Sequence, residues 1–400
     1  MRVSYAGFVY GEEEIGAVME VLRSRKSLMG EKTKEFEEKI AQLFGKKFGV
    51  MVNSGSSANL LALEILQLPK GSEVITPVLT FSTTLAPILQ KDLIPVLVDV
   101  EPGTYLINID KIEKMICDRT KALLIPSLLG NIPDLQRLRT IANDHGLILI
   151  EDSCDTLGAT FTGQPTGVYS HISTASFYGS HIISGAGGGG MICVNDYKWK
   201  TDLQMLRGWG RMSSVMDESE DIDKRLSCWL DDIQYDAKFV FDAIGYNFLP
   251  LEISSAFALE QLKKLERFSL RRQSNFEFLI FFFMRYQHWF ELPKQDERVK
   301  TNWLAFPLTI KPDAPFSRAE LVTYLEKNNV QTRPIFTGNV LRQPAFRKIS
   351  YKVDTLDFSV ADRIMKNGFV IGCHHGMHTE HVLYLTAKFT EFLERYTKSS

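Results

Sequence analysis

The chain has 400 residues, 44% of them hydrophobic, and a formal net charge of -2. That length exceeds what one hydrophobic core usually holds, so a main domain with a smaller companion is expected, and the near-neutral charge argues against nucleic acid or an anionic membrane surface as a partner. Five scattered cysteines, Cys117, Cys154, Cys193, Cys228 and Cys373, with no CxxC pair, fit reduced thiols better than disulfides or a metal cluster.

The opening Met1-Arg2-Val3-Ser4-Tyr5 lacks the basic-then-apolar run of a secretion signal, and the apolar run Leu279 to Phe283 is too short to cross a bilayer. A cytoplasmic protein with no membrane partner is expected. Apolar residues at helical spacing predict helices over Glu12 to Leu22 and Lys32 to Phe44, joined by a turn-like Ser27-Leu28-Met29-Gly30. Phe48 to Val52 reads as a strand, Asn53 to Ser57 as a small-residue turn, and Ala58 to Leu66 as a helix. Strand, turn and helix in that order leave backbone N–H groups and the positive end of the helix dipole free to face a phosphate. Ser and Gly also serve as ordinary helix caps, which is the plainer reading of the turn alone.

Short aliphatic runs predict further strands at Glu73 to Thr76, Ile94 to Val98, Ala122 to Ile125 and Leu147 to Ile150, with helices between several of them, notably Leu135 to Asp144. This alternation implies an α/β fold whose mostly parallel sheet is covered on both faces and takes ligands at the carboxyl ends of its strands. Glu151-Asp152 sits at such an end. Met191 to Val194 then reads as a strand, Trp199 to Leu206 as a helix, and the polar, acidic Gly208 to Asp232 as an exposed loop. Glu252 to Phe268 reads as a long connecting helix, which sets the expected domains at 1–250 and 251–400. The second carries a strand near Trp303 to Leu308 and helices near Ser317 to Lys327 and Thr379 to Tyr396. His374 and His375 point to opposite faces of an extended segment with no third ligand in view, so no metal is expected.

Five ordered blocks carry a resemblance across nearly the whole chain. They are Ser54-Gly55-Ser56-Ser57-Ala58-Asn59-Leu60, Glu151-Asp152-Ser153-Cys154-Asp155, Ser176-Phe177-Tyr178 with Gly188-Gly189, Gly245-Tyr246-Asn247, and Gln331-Thr332-Arg333-Pro334. Together the chain resembles the pyridoxal-phosphate (PLP) sugar aminotransferase superfamily of the DegT/DnrJ/EryC type. That resemblance implies a large aspartate-aminotransferase-like domain (PLP fold type I), a smaller C-terminal α+β domain, and a homodimer with shared active sites. It implies Asp152 on the pyridinium nitrogen, Gly55, Ser56, Ser57 and Ser176 at the phosphate, and Asn247 reaching that phosphate from a neighbouring subunit. Phe81 would stack on the ring, with core packing as its other reading, and Asp155 would lie near the ring hydroxyl. Arg333 would face an anion, either the amino-donor carboxylate or the nucleotide diphosphate, and the His374-His375 segment the sugar.

His181 is the departure from the superfamily's usual pattern, because it stands where the aminotransferases carry the cofactor lysine, and no lysine occurs from Ala122 to Tyr197. Imidazole cannot form that covalent link, so PLP or pyridoxamine phosphate (PMP) is expected to bind non-covalently; imidazole can move a proton near neutral pH. The exchange resembles the 3-dehydratase branch, above all the members acting on GDP-4-keto-6-deoxymannose. It implies that His181 removes a proton from the C4′ carbon of PMP joined to a nucleotide-linked 4-keto-6-deoxyhexose, GDP-linked favoured, as the C3 hydroxyl leaves. L-glutamate would then re-aminate the cofactor. A related branch uses a cysteine-bound iron–sulfur cluster, but the corresponding loop here offers only Cys228, so no cluster is expected. Gly187 stands where the family usually has Glu. Two other readings stay open, an aminotransferase drawing a lysine from elsewhere and a catalytically silent homologue kept for binding or regulation. The implied setting is deoxysugar synthesis for a surface glycan such as lipopolysaccharide O-antigen.

Overall fold

The computed structural model describes residues 1–25, 28–216, 221–353 and 357–397. Its centre is an eight-stranded sheet built from β1 (Phe48–Val52), β2 (Glu73–Pro77), β3 (Ile94–Val98), β4 (Thr120–Pro126), β5 (Ile148–Asp152), β6 (Ile172–Ser176), β7 (Gly190–Val194) and the short Lys352–Val353. The order is β1-β7-β6-β5-β4-β2-β3, with Lys352–Val353 on the free edge of β3. Only β7 runs antiparallel to its neighbours; the other pairs are parallel.

Alternation along the strands supplies two cores. Ala122 and Leu124 of β4 and Ile150 of β5 belong to one, whereas Leu123, Ile125 and Leu149 belong to the other. Helices cover both faces: α1 (Glu12–Ser24), α2 (Glu31–Leu43), α3 (Gly55–Glu64), α4 (Ser82–Gln90), α5 (Leu135–Asp144) and α6 (Tyr197–Arg207). In α5 the Asp134 side chain caps the start by accepting from the N–H of Arg137, and Leu135, Leu138, Ile141 and Ala142 are buried along one face. The fold is thus α/β with a mostly parallel sheet, as expected.

Two helices, α7 (Glu252–Lys263) and α8 (Leu265–Met284), lead into the C-terminal part. There β8 (Phe290–Glu291), β9 (Phe306–Ile310) and β10 (Gly368–Ile371) form an antiparallel sheet in the order β8-β9-β10, covered by helices over Arg318–Lys327, Ser359–Asn367 and Thr379–Thr397. The contacts across residue 250 are extensive. Lys352–Val353 joins the main sheet, and one apolar cluster runs from Val3 to Leu393. Among the described residues no helix is long and apolar enough to cross a membrane, and all five cysteines are free.

The structure departs from the sequence reading in three places. The expected helix over Glu252 to Phe268 is broken at Lys264, whose ammonium leaves the helix line to meet Glu14 at 2.6 Å. The expected loop over Gly208 to Asp232, of which 217–220 lie outside the described residues, contains a helical turn at Ile222–Arg225 and the first strand of a hairpin. In that hairpin Cys228–Leu230 pairs with Ile233–Tyr235 across Asp231 and Asp232, with Asp231 at φ 54. Strand β6 was not expected at all, because Ser173 and Thr174 break its apolar pattern; both hydroxyls are satisfied internally, Ser173 by Glu151 of β5 and Thr174 by Asn59 of α3. Of the turn-like Ser27 to Gly30, Ser27 lies outside the described residues.

Candidate active site

The carboxyl ends of the parallel strands open on a cleft of about 480 Å3. Asp152 ends β5, Ser176 ends β6, and the turn after β1 brings in Ser54, Gly55 and Ser56 at the first turn of α3. Thr83 and Thr84 come from α4, and Leu128 and Leu129 from the turn after β4. The C-terminal part closes the cleft with Leu304, Ala305, Arg333 and Phe336, and the N-terminal segment adds Tyr5. Among the described residues no lysine lines it.

Asp152 lies at the base, 5% exposed, with no cation paired to it among the described residues. Its Oδ2 accepts from Asn59 Nδ2 at 2.8 Å and Thr84 Oγ1 at 2.9 Å, and its Oδ1 accepts from the N–H of Cys154 at 3.2 Å. Thr174 donates to Asn59 Oδ1 at 2.6 Å, which orients the amide so that its N–H faces the carboxylate. A buried carboxylate supplied only with neutral donors is matched to a ligand that brings its own positive charge.

His181 lines the same cleft. Its Nδ1 stands 3.3 Å from the carbonyl of Ser176, and a carbonyl can only accept, so Nδ1 carries the proton and Nε2 the lone pair. Burial pushes the imidazole down to about 4, against the opposing effect of the Ser176 carbonyl. The ring is therefore uncharged at neutral pH. Tyr178 meets it edge-on with ring centres 6.0 Å apart.

Asp155 accepts from the N–H of Leu129 at 2.8 Å, and burial pushes its carboxyl up to about 7. Leu129 is held in the left-handed region at φ 59, a conformation a leucine adopts at a cost, and its carbonyl accepts from the N–H of Leu304. The turn is therefore fixed from both sides of the cleft. Phe81 is half exposed at the cleft wall, edge-on to Phe336, so it is no core residue. Arg333 is exposed, with its guanidinium 5.0 Å from the ring centre of Tyr5 and one N–H on the carbonyl of Thr332.

Of the residues singled out in the sequence, Gly55, Ser56, Phe81, Asp152, Asp155, Ser176, His181 and Arg333 meet in the cleft. Ser57 does not line it, because its hydroxyl donates to Asn53 and its N–H to Ser54 within the cap. Asn247 is exposed and bridged to Gly208, outside this chain's cleft wall. His374 and His375 do not reach the cleft either. His374 Nε2 lies 3.2 Å from both Ser4 Oγ and Ser4 O, and His375 stacks on Phe268 with ring centres 3.9 Å apart. Burial pushes His374 down to about 3 and His375 lower still. No three His, Cys, Asp or Glu residues are grouped to hold a metal among the described residues. Asn59, Thr84 and Leu129 were missed; Asn59, one turn past Gly55 on α3, is the one whose helical spacing signals its place.

These features fit PLP or PMP. A phosphate would meet small side chains and the positive end of α3, in a turn that is seated tightly, since a Cβ on Gly55 would fall 2.6 Å from Ser176 Cβ. A pyridinium ring would find its counter-charge in Asp152.

Comparison with known proteins agrees. Residues 9–390 match the DegT/DnrJ/EryC1/StrS aminotransferase family. The chain is 36% identical to the lipopolysaccharide biosynthesis protein RfbH of Salmonella typhimurium, over 97% of this chain and 91% of that one. It is 34% identical to the dTDP-4-dehydro-2,6-dideoxy-D-glucose 3-dehydratase of Saccharopolyspora spinosa, over 98% and 86%. Among solved structures it is similar to the E. coli GDP-4-keto-6-deoxy-D-mannose-3-dehydratase with bound hydrated PLP, with a TM-score of 0.88 and 32% identity, covering 97% of this chain and 99% of that one.

Proposed function

The chain belongs to the DegT/DnrJ/EryC1/StrS aminotransferase family of PLP-dependent, sugar-modifying enzymes, and we propose that it removes the C3 hydroxyl of a nucleotide-linked 4-keto-6-deoxyhexose to give a 4-keto-3,6-dideoxyhexose. The observation that carries this reading is His181, an uncharged imidazole held by the Ser176 carbonyl in a cleft that no lysine lines among the described residues. PMP, when bound, supplies an amine that condenses with the C4 ketone and a ring that accepts electrons.

Each residue then has one task. Asp152 holds a proton on the ring nitrogen, which its buried charge favours, and Asn59 and Thr84 keep the carboxylate in place. His181 Nε2 takes the proton from the C4′ carbon of the cofactor. Gly55, Ser56 and Ser176 bind the phosphate, Phe81 covers the ring face, and Asp155 hydrogen-bonds the ring oxygen. Arg333 binds an anion, the glutamate carboxylate or the nucleotide diphosphate. A GDP sugar is the favoured substrate, L-glutamate the amino donor, and the product a deoxysugar for a surface glycan.

A homodimer completes the proposal. Ile15, Met19 and Leu22 on α1 form an exposed apolar stripe, and Ile244 is 98% exposed close to Asn247 in sequence. A second copy would cover these residues, and Asn247 is assigned on this reading to the neighbouring subunit's phosphate.

The test is mass spectrometry of the products formed from GDP-4-keto-6-deoxymannose with the protein, PMP and glutamate. A ketone lacking one oxygen, with ammonia released, supports the proposal. An aminosugar would mean transamination, and unchanged nucleotide sugars of every base would leave a binding or regulatory role.

A further inference from the structure

Arg272, on α8, is fully buried, and among the described residues no carboxylate is paired with it. Its hydrogen bonds go elsewhere. Nη1 donates to the carbonyls of Trp303 and Leu304 at 3.0 and 3.1 Å, Nε donates to His375 Nδ1 at 3.2 Å, and Nη2 makes a long 3.4 Å bond to the carbonyl of His181. A buried cation ordinarily meets an anion, because desolvation makes it costly. Here every partner is a neutral dipole, so the positive charge is left uncompensated.

His375 fits this arrangement. To accept from Arg272 its Nδ1 must be unprotonated, so the ring is neutral with its proton on Nε2, and that atom is buried with no partner. The stack on Phe268 holds the ring flat beside the guanidinium. A charged His375 would oppose Arg272 directly; the pair is stable as one cation and one neutral ring.

We propose that Arg272 is a positioning residue for His181: its guanidinium fixes the backbone of the reacting residue and sets an unpaired positive charge against it, which adds to burial in keeping the imidazole an uncharged base. This rests on reading His181 as the base. The groups facing His181 are Arg272 from α8 and Tyr178 from its own turn. From the end of β5 come Asp152 and Cys154, and Asp155 and Arg333 line the same cleft. Asp152 favours a charged ring and Arg272 disfavours it. Burial keeps the Cys154 thiol protonated. Arg272 thus offsets the carboxylate that the cofactor requires, and lets Asp152 and a neutral base share one cleft.

The experiment is a 15N NMR titration of His181 in the full chain without substrate, which reads the ring directly whatever reaction the protein catalyses. In the wild type the midpoint is expected well below the ordinary value of about 6.5, with the proton on Nδ1. Arg272→Met is expected to raise it by about one pH unit or more, and Arg272→Lys to leave it low. His375→Glu keeps Arg272 and its carbonyl bonds but supplies a counter-charge, so it tests the idea even where Arg272→Met does not fold; it too is expected to raise the midpoint. An unchanged midpoint in folded Arg272→Met or His375→Glu overturns the inference, as does a wild-type midpoint at the ordinary value. Failure of dehydration with these shifts intact would count against the proposed reaction alone.

Discussion

His181 and Ser176 are joined across the turn that follows β6, with the imidazole Nδ1 3.3 Å from the Ser176 carbonyl. This contact bears on which ring nitrogen can act as a base, because a proton on Nδ1 leaves the lone pair on Nε2. His181→Asn keeps a donor for the carbonyl but removes the basic nitrogen. Sugar turnover is therefore expected to fall by roughly 10²–10⁴-fold, the usual share of a positioned acid–base group. Cofactor affinity, followed by fluorescence quenching, should change little. Full turnover in the variant would remove His181 from its assigned role.

Gly190, the first residue of β7, lies against the Ser54–Gly55 turn to which the phosphate is assigned under the proposed function. A Cβ there would sit 2.2 Å from the Ser54 carbonyl oxygen and 2.6 Å from the Gly55 nitrogen. These are backbone atoms, so no side-chain rotation relieves the overlap, and Gly190→Ala must push the Ser54–Gly55 turn away from β7. A folded Gly190→Ala protein is expected to bind PLP at least about tenfold more weakly, a loss of about 1.4 kcal/mol. Equal affinity, measured by equilibrium titration, would mean that the turn does not hold the phosphate.

Much of this was legible in the sequence, for a physical reason. Asp152, Ser176 and His181 sit at strand ends beside short, distinctive segments, and strand ends are where an α/β sheet collects its ligands. The apolar strands β1 to β5 declared themselves by composition. Strand β6 did not, since its Ser173 and Thr174 are buried only because Glu151 and Asn59 receive their hydroxyl protons from other strands and helices. Thr84 and Arg272 were equally silent: Thr84 meets Asp152 68 residues away and Arg272 meets partners 31 to 103 residues away, and such contacts leave no local pattern. His374 and His375 looked like ligand residues and instead tie down the N-terminal segment and Arg272.

Histidines shielded from water make stability depend on acid, His374 being buried and His171 and His181 partly so. His171 and His181 are pushed down to about 4 and His374 to about 3, in each case first by burial. Between the ordinary value of about 6.5 and these depressed values the unfolded chain binds protons that the folded chain excludes. Stability is thus complete above about pH 6.5 and is lost progressively as pH falls toward 4 and 3. His374→Gln removes one of these sites, and the slope of unfolding free energy against pH should become shallower by about 1.4 kcal/mol per pH unit within that window. Urea unfolding at several pH values checks this, and an unchanged slope would show that His374 is protonated in the folded state.

Glu252 opens α7 and is buried, yet its carboxylate serves another helix. Its Oε2 accepts from the N–H of Gly30 at 2.7 Å, the N–H of Thr33 at 3.1 Å and the Thr33 hydroxyl at 2.7 Å, and its Oε1 from the N–H of Lys32 at 2.6 Å. Three backbone donors at the start of α2, left over by helix geometry, are thus satisfied by one anion that also meets the positive end of the helix dipole. Glu252→Ala leaves those donors without their acceptor in a site that is only 4% exposed. The expected loss is about 3 kcal/mol of unfolding free energy, the scale for removing a charged partner from a buried network. Glu252→Gln keeps one acceptor oxygen and should fall between the two. Chemical denaturation of the three proteins measures the order, and an alanine variant as stable as the wild type would show that α2 finds its cap elsewhere.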